Sequence, residues 1–434
     1  MLPGLVRLMG ALVLWVLALL ASAAMLAPRV DWQPPIEIAT GGGTKGAWRQ
    51  NESDYDYVDD GTVAYLADGR LALAWVDQRS KDVLFQTRGG DGKVATATVN
   101  ASRNGATFSW HPRIAASPGA DRAVYLLWQE IIFSGGSHGG DILFARSLDG
   151  GRSFGAPVNL SSSIGGDGKG RVSSKIWSNG SLDLAVAANG TVYAAWTEYD
   201  GALWLIRSVD AGASFSRPAR IAGDARLPAR GPSLATGRAD AVWLAWTVGE
   251  DDDADIRVAV STDAGRSFGQ PRLIGVKDAY ADAPRLAIGH DGSVHLVYAE
   301  RPDRMSDASK VKYARADAGS DSFDAPRTIS MPVAAGYPAL ATDANGRVHV
   351  LWELFPRPDA RPRGLGFAVS SDRGLTFGPS RLVPGSEDPA GVNGSHQGLL
   401  GKKLAVGKDG AITVINSSLG FGQASRIWLI QGLR

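Results

Sequence analysis

One phrase recurs along this 434-residue chain, and it constrains the fold more than any other feature. A short apolar strand is followed by an Asp-Gly or Asn-Gly turn and then by a second apolar strand that ends in an aromatic residue. The second strand reads as Leu71–Trp75, Val124–Trp128, Val192–Trp196, Val242–Trp246, Val294–Tyr298 and Val348–Trp352, with a weaker seventh copy at Ile412–Asn416. Successive copies start 50 to 68 residues apart, which leaves room for four strands each, and nothing between them has a useful helical period. A unit of this size, copied along a chain, is the mark of radially repeated sheets.

Each unit continues with a third strand, such as Ile142–Arg146 or Ile256–Val260, and then a second phrase, Ser-x-Asp-x-Gly-x-x-Phe. It stands at Ser147–Phe154, Ser208–Phe215, Ser261–Phe268 and Ser370–Phe377, with a variant at Asp317–Phe323. These residue types describe a tight hairpin: the Asp caps backbone N–H groups, the Gly takes a conformation closed to other residues, and the Phe folds back under the sheet. Pro157, Pro218, Pro271 and Pro326 each follow three residues after the Phe, where a missing N–H suits the start of an outer strand. The expected fold is therefore all-β, a β-propeller of four-stranded antiparallel blades over residues 54–434. The last unit, 401–434, supplies only three strands: Leu404–Val406, Ile412–Asn416 and Ile427–Gln431. An incomplete blade exposes edges, so Ile36–Thr40, within an otherwise linker-like stretch 30–53, is expected to complete it and close a ring of seven blades.

The hairpin phrase between third and fourth strands resembles the Asp box, or BNR repeat, of the sialidase (neuraminidase) superfamily, and the resemblance spans nearly all of residues 54–434. Sialidases resembling this pattern have six blades, the alternative count. The resemblance implies an exo-glycosidase with an arginine triad for a substrate carboxylate, an Asp acid/base, and a Tyr nucleophile assisted by a Glu. Gly69–Trp75 followed by Arg79 and Asp82 is similar to the family's first-blade phrase, which makes Asp82 the acid/base. Gly336–Leu340 resembles the family's late-blade Tyr phrase, making Tyr337 the nucleophile, and chain order nominates Glu198 as its partner. The family's first-blade Arg-Ile-Pro is replaced by Thr62-Val63-Ala64, and the nearest Arg-Ile is Arg113-Ile114, so one triad cation would have to be Lys403 or Arg230.

The repeat itself also indicates where a site belongs. In a four-stranded meander the 1–2 turns and the 3–4 hairpins share one face, so a site is expected on the other, around the mouth of the central channel. The residue preceding the first-strand Leu or Ile reads Thr62, Arg113, Asp183, Ser233, Arg285, Ala339 and Lys403 around the ring. Arg113, Arg285 and Lys403, with Arg230 nearby, are candidate carboxylate-binding cations, the alternative being inter-blade salt bridges. Asp77, Glu130, Glu198, Glu300 and Glu353 end the second strands; a repeated acid reads either as an inter-blade acceptor or, at one or two positions, as a catalyst.

Charges nearly cancel at +1, so no global field favours nucleic acid. The absence of cysteine excludes disulfides, thiolate metal sites and a Cys nucleophile, and six His without paired spacing argue against zinc; no cofactor is expected. Arg7 precedes an uncharged apolar run, Leu8–Ala27, so residues 1–29 read as a signal peptide, with Ala21-Ser22-Ala23 as cleavage box, or as a membrane anchor. Either places the propeller outside the cytoplasm. The function classes left are an exo-glycosidase on an anionic or terminal sugar, a non-catalytic propeller binding glycan or protein through loops Ile131–Asp141, Ser163–Ser181 and Phe355–Arg363, and a membrane-held assembly factor. The acidic run Glu250–Asp253 reads as a solvated loop or a calcium site.

Overall fold

A computed structural model describes residues 30–433, apart from 48, 50, 120–121, 131–139, 162–181, 199, 251–253, 276–278, 302–307, 358–359, 388–401 and 421. The signal or anchor segment, most of loop 131–141, all of loop 163–181, residues 358–359 of the third loop and most of the acidic run lie outside the described residues. The chain forms a seven-bladed propeller of antiparallel sheets. The innermost strands are Val58–Tyr65, Ser109–Ala116, Leu182–Val186, Ala229–Thr236, Tyr280–Ile288, Ala334–Thr342 and Leu404–Val406, and they number blades 1 to 7. In blade 7 the fourth strand comes from the other end of the chain: Ile36–Gly41 pairs antiparallel with Ser425–Leu433.

The core is divided into seven slabs, one between each pair of neighbouring blades. The second strands show why. In blade 1, Leu71, Leu73 and Trp75 pack toward blade 7, while Ala72, Ala74 and Val76 pack toward blade 2. A strand covered on both faces must be apolar at every position, and the pleat sends alternate residues to opposite neighbours. The repeated aromatic always faces the preceding blade: Trp128 toward blade 1, Trp196 toward blade 2, Trp246 toward blade 3.

The Ser-x-Asp-x-Gly-x-x-Phe hairpins clasp these slabs at the rim. In blade 3, Ser208 Oγ donates to Asp210 Oδ1 (2.7 Å) and accepts from the Gly212 N–H (2.8 Å), while Asp210 also accepts from the N–H and hydroxyl of Ser214. The same pattern recurs around Asp149, Asp263 and Asp372. The Ser214 hydroxyl and N–H hold Asp210 well below the usual carboxylate range. The glycine has positive φ in each copy and sits against an aromatic of the preceding blade: Gly151 on Phe85, Gly212 on Phe144, Gly265 on Tyr193, Gly374 on Tyr313. The closing Phe meets such a ring edge-on, with centroids 4.9 Å apart for Phe85–Phe154 and for Phe144–Phe215, and 4.7 Å for Tyr313–Phe377.

Two predictions follow from this packing. Gly151→Ala should cost about 3 kcal/mol, because it adds a Cβ that overlaps the Phe85 ring to the strain of a left-handed backbone. Gly190→Ala, at φ +83° in open space, should cost only about 1–2 kcal/mol; equal losses in urea unfolding would remove the clasp from the argument. Second, His295 is buried between Ser293 Oγ (3.0 Å) and Tyr313 OH (2.7 Å), and desolvation, then Arg315, push it down to about 4. The unfolded imidazole takes its proton near 6.5, so stability is complete above that pH and falls as pH drops from 6.5 to 4, by about 3 kcal/mol. His295→Gln should flatten that slope, and an imidazole resonance titrating near 6.5 in the folded protein would refute the prediction.

Candidate functional site

The mouth of the channel is built from a repeated irregularity. In blades 1, 2, 4, 5 and 6 the pairing of first and second strands slips by one residue, so that two residues oppose one. The two are Asp60-Gly61, His111-Pro112, Gly231-Pro232, Ala283-Pro284 and Tyr337-Pro338, and each pair stands opposite the repeated aromatic of the second strand. The first residue of each pair is left-handed: φ is 59° at Asp60, 49° at His111, 59° at Gly231, 56° at Ala283 and 47° at Tyr337. Four of the five are not glycine, each at a cost of about 1–2 kcal/mol. Such bulges bend a strand and re-aim its side chains.

Between blades 4, 5 and 6 the bulges gather a charged and aromatic cluster. Arg230 pairs with Asp282 at 2.9 Å and donates to the carbonyl of Gly249. Asp282 accepts further from Tyr280 OH (3.0 Å), Thr247 Oγ1 (2.9 Å) and its own bulge N–H at Ala283 (2.7 Å). Burial works to raise the Asp282 pKa, yet Arg230 and these donors hold it below the usual range. The Asp282 carboxylate, helped by desolvation, pushes Tyr280 up to about 12. Arg301 lies over the Tyr280 ring, 4.4 Å from its centroid, and Phe355 lies 6.0 Å from the ring of Tyr337. Desolvation, with the charges of Asp282, Tyr280 and Glu353, raises the Tyr337 phenol well above its ordinary value, so it is neutral. Tyr280, Asp282, Arg301, Tyr337 and Phe355 are all half-buried, which leaves them reachable from the mouth.

The residues nominated from sequence are distributed as follows. Tyr337 and Arg230 belong to this cluster. Asp82 opens the third strand of blade 1, buried, and accepts from Asn100 Nδ2 (2.8 Å), Ser102 Oγ (2.7 Å) and the Asn104 N–H (2.9 Å). Arg79 is exposed in the adjoining turn, its N–H held by Asp77. Glu198 ends the second strand of blade 3 and accepts from Trp196 Nε1 at 2.9 Å. Asp82, Glu198 and Tyr337 thus stand on three blades of which no two are neighbours. Lys403 turns into the slab between blades 6 and 7, bound to Glu353 (3.0 Å) and Asn416. Arg113 and Arg285 line the channel itself, where Arg113 donates to the carbonyls of Leu182, His111 and Pro112 and Arg285 to that of Pro284.

Among the repeated acids, Glu130 accepts from Trp128 Nε1 (2.7 Å), Ser109, Asn104 and Thr107, and burial pushes it up to about 7. Glu353 differs, since it follows its aromatic by one residue. It therefore points to the opposite side, where it binds Lys403, and its backbone pairs in register with Gly336, the residue before Tyr337. The sequence reading missed Tyr280, Asp282 and Arg301 as site residues, and it named Glu353 without connecting it to Tyr337. The available signal was the X-Pro pair just before the innermost Leu or Ala, in Asp282-Ala283-Pro284-Arg285 and Gly336-Tyr337-Pro338-Ala339.

Arg230→Met should destabilise the fold by about 3–5 kcal/mol at neutral pH, because it strands a buried carboxylate. The loss should shrink as pH falls and Asp282 takes up a proton. A pH-independent loss in denaturant titrations would show that the ion pair is not the cause.

No family model matches the chain, and no curated protein is significantly similar to it. Among solved structures, the chain is similar to an ulvan lyase bound to -[GlcA(1-4)Rha3S]- (11% identity, 92% of this chain and 95% of that chain, TM-score 0.58). It is also similar to the α-L-arabinanase of Penicillium chrysogenum complexed with arabinobiose (15% identity, 74% and 92%, TM-score 0.51). A weaker likeness is to the NanB sialidase of Streptococcus pneumoniae (12% identity, 74% and 67%, TM-score 0.49). At these identities what is shared is the fold: the chain is a seven-bladed propeller of the architecture found in carbohydrate-active enzymes.

Proposed function

We propose that this chain is an exported carbohydrate-active propeller that receives an anionic or terminal sugar over blades 4 to 6 and cleaves it as an exo-glycosidase. The observation that carries the reading is the cluster at the mouth, where a strained bulge holds the Tyr337 phenol within the field of Asp282 and the Arg230–Tyr280–Asp282 network. Aromatic faces at Tyr280, Tyr337 and Phe355 suit the apolar faces of a sugar ring, and Arg301 supplies a cation at the rim. Tyr337 is the proposed nucleophile. Held neutral, it needs a base to take its proton, and Glu353 and Asp282 are the acids whose charge it feels, in place of the more distant Glu198. Asp82 keeps its proposed acid/base role only if substrate displaces some of its three donors. The similar solved structures hold saccharides: -[GlcA(1-4)Rha3S]- in the lyase and arabinobiose in the arabinanase. Export rests on the apolar run Leu8–Ala27.

A second reading, a binding propeller without turnover, is favoured by the donors that already occupy Asp82, Glu130 and Asp282. Chromogenic sialosides, uronides and arabinosides separate the two. An enzyme should turn over at least one of them, with kcat reduced about 10³-fold or more in Tyr337→Phe. Glycan binding without hydrolysis, weakened by Arg301→Ala, would instead support the lectin-like reading. The absence of both turnover and binding would dismiss the carbohydrate assignment.

A further inference from the structure

The register of blade 7 fixes the face from which the N-terminal segment leaves the propeller. Gly432 pairs with Ile412, which opens the second strand just after the Asp409-Gly410 turn, so residues 432–433 lie on the face that carries the turns and hairpins. Trp32 and Asp31 pair with Gly432 and Leu433, so the chain enters on that same face. It is held there: Trp32 meets Phe367 edge-on with centroids 5.3 Å apart, and Val30 lies so close to Gly432 that a Cβ added there would overlap it. Only Pro28 and Arg29 separate Val30 from the apolar run Leu8–Ala27. Even fully extended, that link keeps Ala27 within about 10 Å of Val30.

The same face carries an arc of exposed apolar side chains. Among the described residues, ten large apolar side chains stand exposed. Val158, Leu273 and Leu382 are on outermost strands, and Leu227 and Val333 are in connections at the mouth. The other five, Val94, Leu148, Val209, Leu375 and Leu433, all lie at the hairpin face. They belong to blades 1, 2, 3, 6 and 7, one each, and closure of the ring makes those five blades consecutive, with the N-terminal entry inside the arc. The hairpins do not themselves require an apolar residue there. Blade 4 has Thr262 and blade 6 has Ser371 where blades 2 and 3 have Leu148 and Val209, yet the Ser–Asp bond forms in all four.

We propose that residues 8–27 are a retained membrane anchor, and that the propeller rests its hairpin face on the extracytoplasmic surface of that membrane, with the five apolar side chains dipping into the lipid interface. The inference rests on the export part of the reading above and on none of its chemistry. An uncharged run of 20 residues exceeds the apolar core of a signal peptide, about 7–15 residues, and matches a bilayer core about 30 Å thick. A link of two residues leaves no other face free to approach the lipid, and exposed apolar side chains gain by burial at the headgroup boundary. The mouth then opens away from the bilayer, so a sugar reaches it from the surroundings and not from a lipid headgroup.

Because the chain has no cysteine, single introduced cysteines report position without background. The full chain carrying Leu148→Cys, Val209→Cys, Leu227→Cys or Val333→Cys, each at an exposed position, is labelled with a thiol-reactive fluorophore. It is then reconstituted in phosphatidylcholine–phosphatidylglycerol vesicles containing nitroxide lipid. The labels at Leu148→Cys and Val209→Cys should be quenched several-fold more than those at Leu227→Cys and Val333→Cys. Equal quenching at all four, or stronger quenching of the mouth pair, would overturn the orientation. In expressing cells, the intact mass should include the apolar run and the chain should sediment with membranes; a shortened chain free of membrane would overturn the anchor. Neither readout depends on turnover, so an inactive protein leaves this inference standing, and an active but soluble one sinks it alone.

Discussion

The structure depends on the contact between neighbouring blades. A single blade has two apolar faces and cannot bury either alone, so its stability comes from the slabs it shares with the blades before and after it. That requirement accounts for the composition of the second strands, which are apolar on both faces, with Leu71, Leu73 and Trp75 toward one neighbour and Ala72, Ala74 and Val76 toward the other. It also accounts for the hairpins. Their glycines and closing Phe residues are placed against rings of the preceding blade, so a local turn motif is in effect an inter-blade fastening.

The same packing sets up the mouth. The bulky aromatic at the end of each second strand is opposed by two residues of the first strand in five blades, and the extra residue is driven into a left-handed conformation. Strain of this kind persists only where surrounding contacts over-determine it. Here the slabs do so, and the result is a bulge at the same register position in five of the seven blades. Where the ring carries Asp60 and His111 it makes a buried pair at 3.2 Å; where it carries Ala283 and Tyr337 it opens a half-buried floor of tyrosines and carboxylate.

Much of the fold was legible because its signals are local and repeated. The Asp-Gly turns, the hairpins and the prolines before fourth strands such as Val158–Asn159 and Ala219–Ala222 each follow from a few adjacent residues. The site was less legible, because parity within a strand decides where a side chain goes. Lys403 was expected in the channel, but its side chain lies between blades and Lys402 crosses the axis instead. Glu353 binds Lys403 of the next blade because it sits one residue from its aromatic, whereas Glu130 and Glu198, two residues away, turn back to bond their own Trp. Chain order, which nominated Glu198, fixes the blade a residue belongs to but not the side to which its side chain turns.

Closure by Ile36–Gly41 has a consequence for how the molecule is made. The pairings of Ile36 with Leu429 and of Asp31 with Leu433 join distant ends of the described sequence, so closure is a very long-range contact. Blade 7 cannot exist until residues 425–433 have been synthesised, and until then the first and sixth blades each keep one bare apolar flank. Closure of the ring therefore waits for residues 425–433 to emerge, and the vulnerable species is the open arc of blades without its last member.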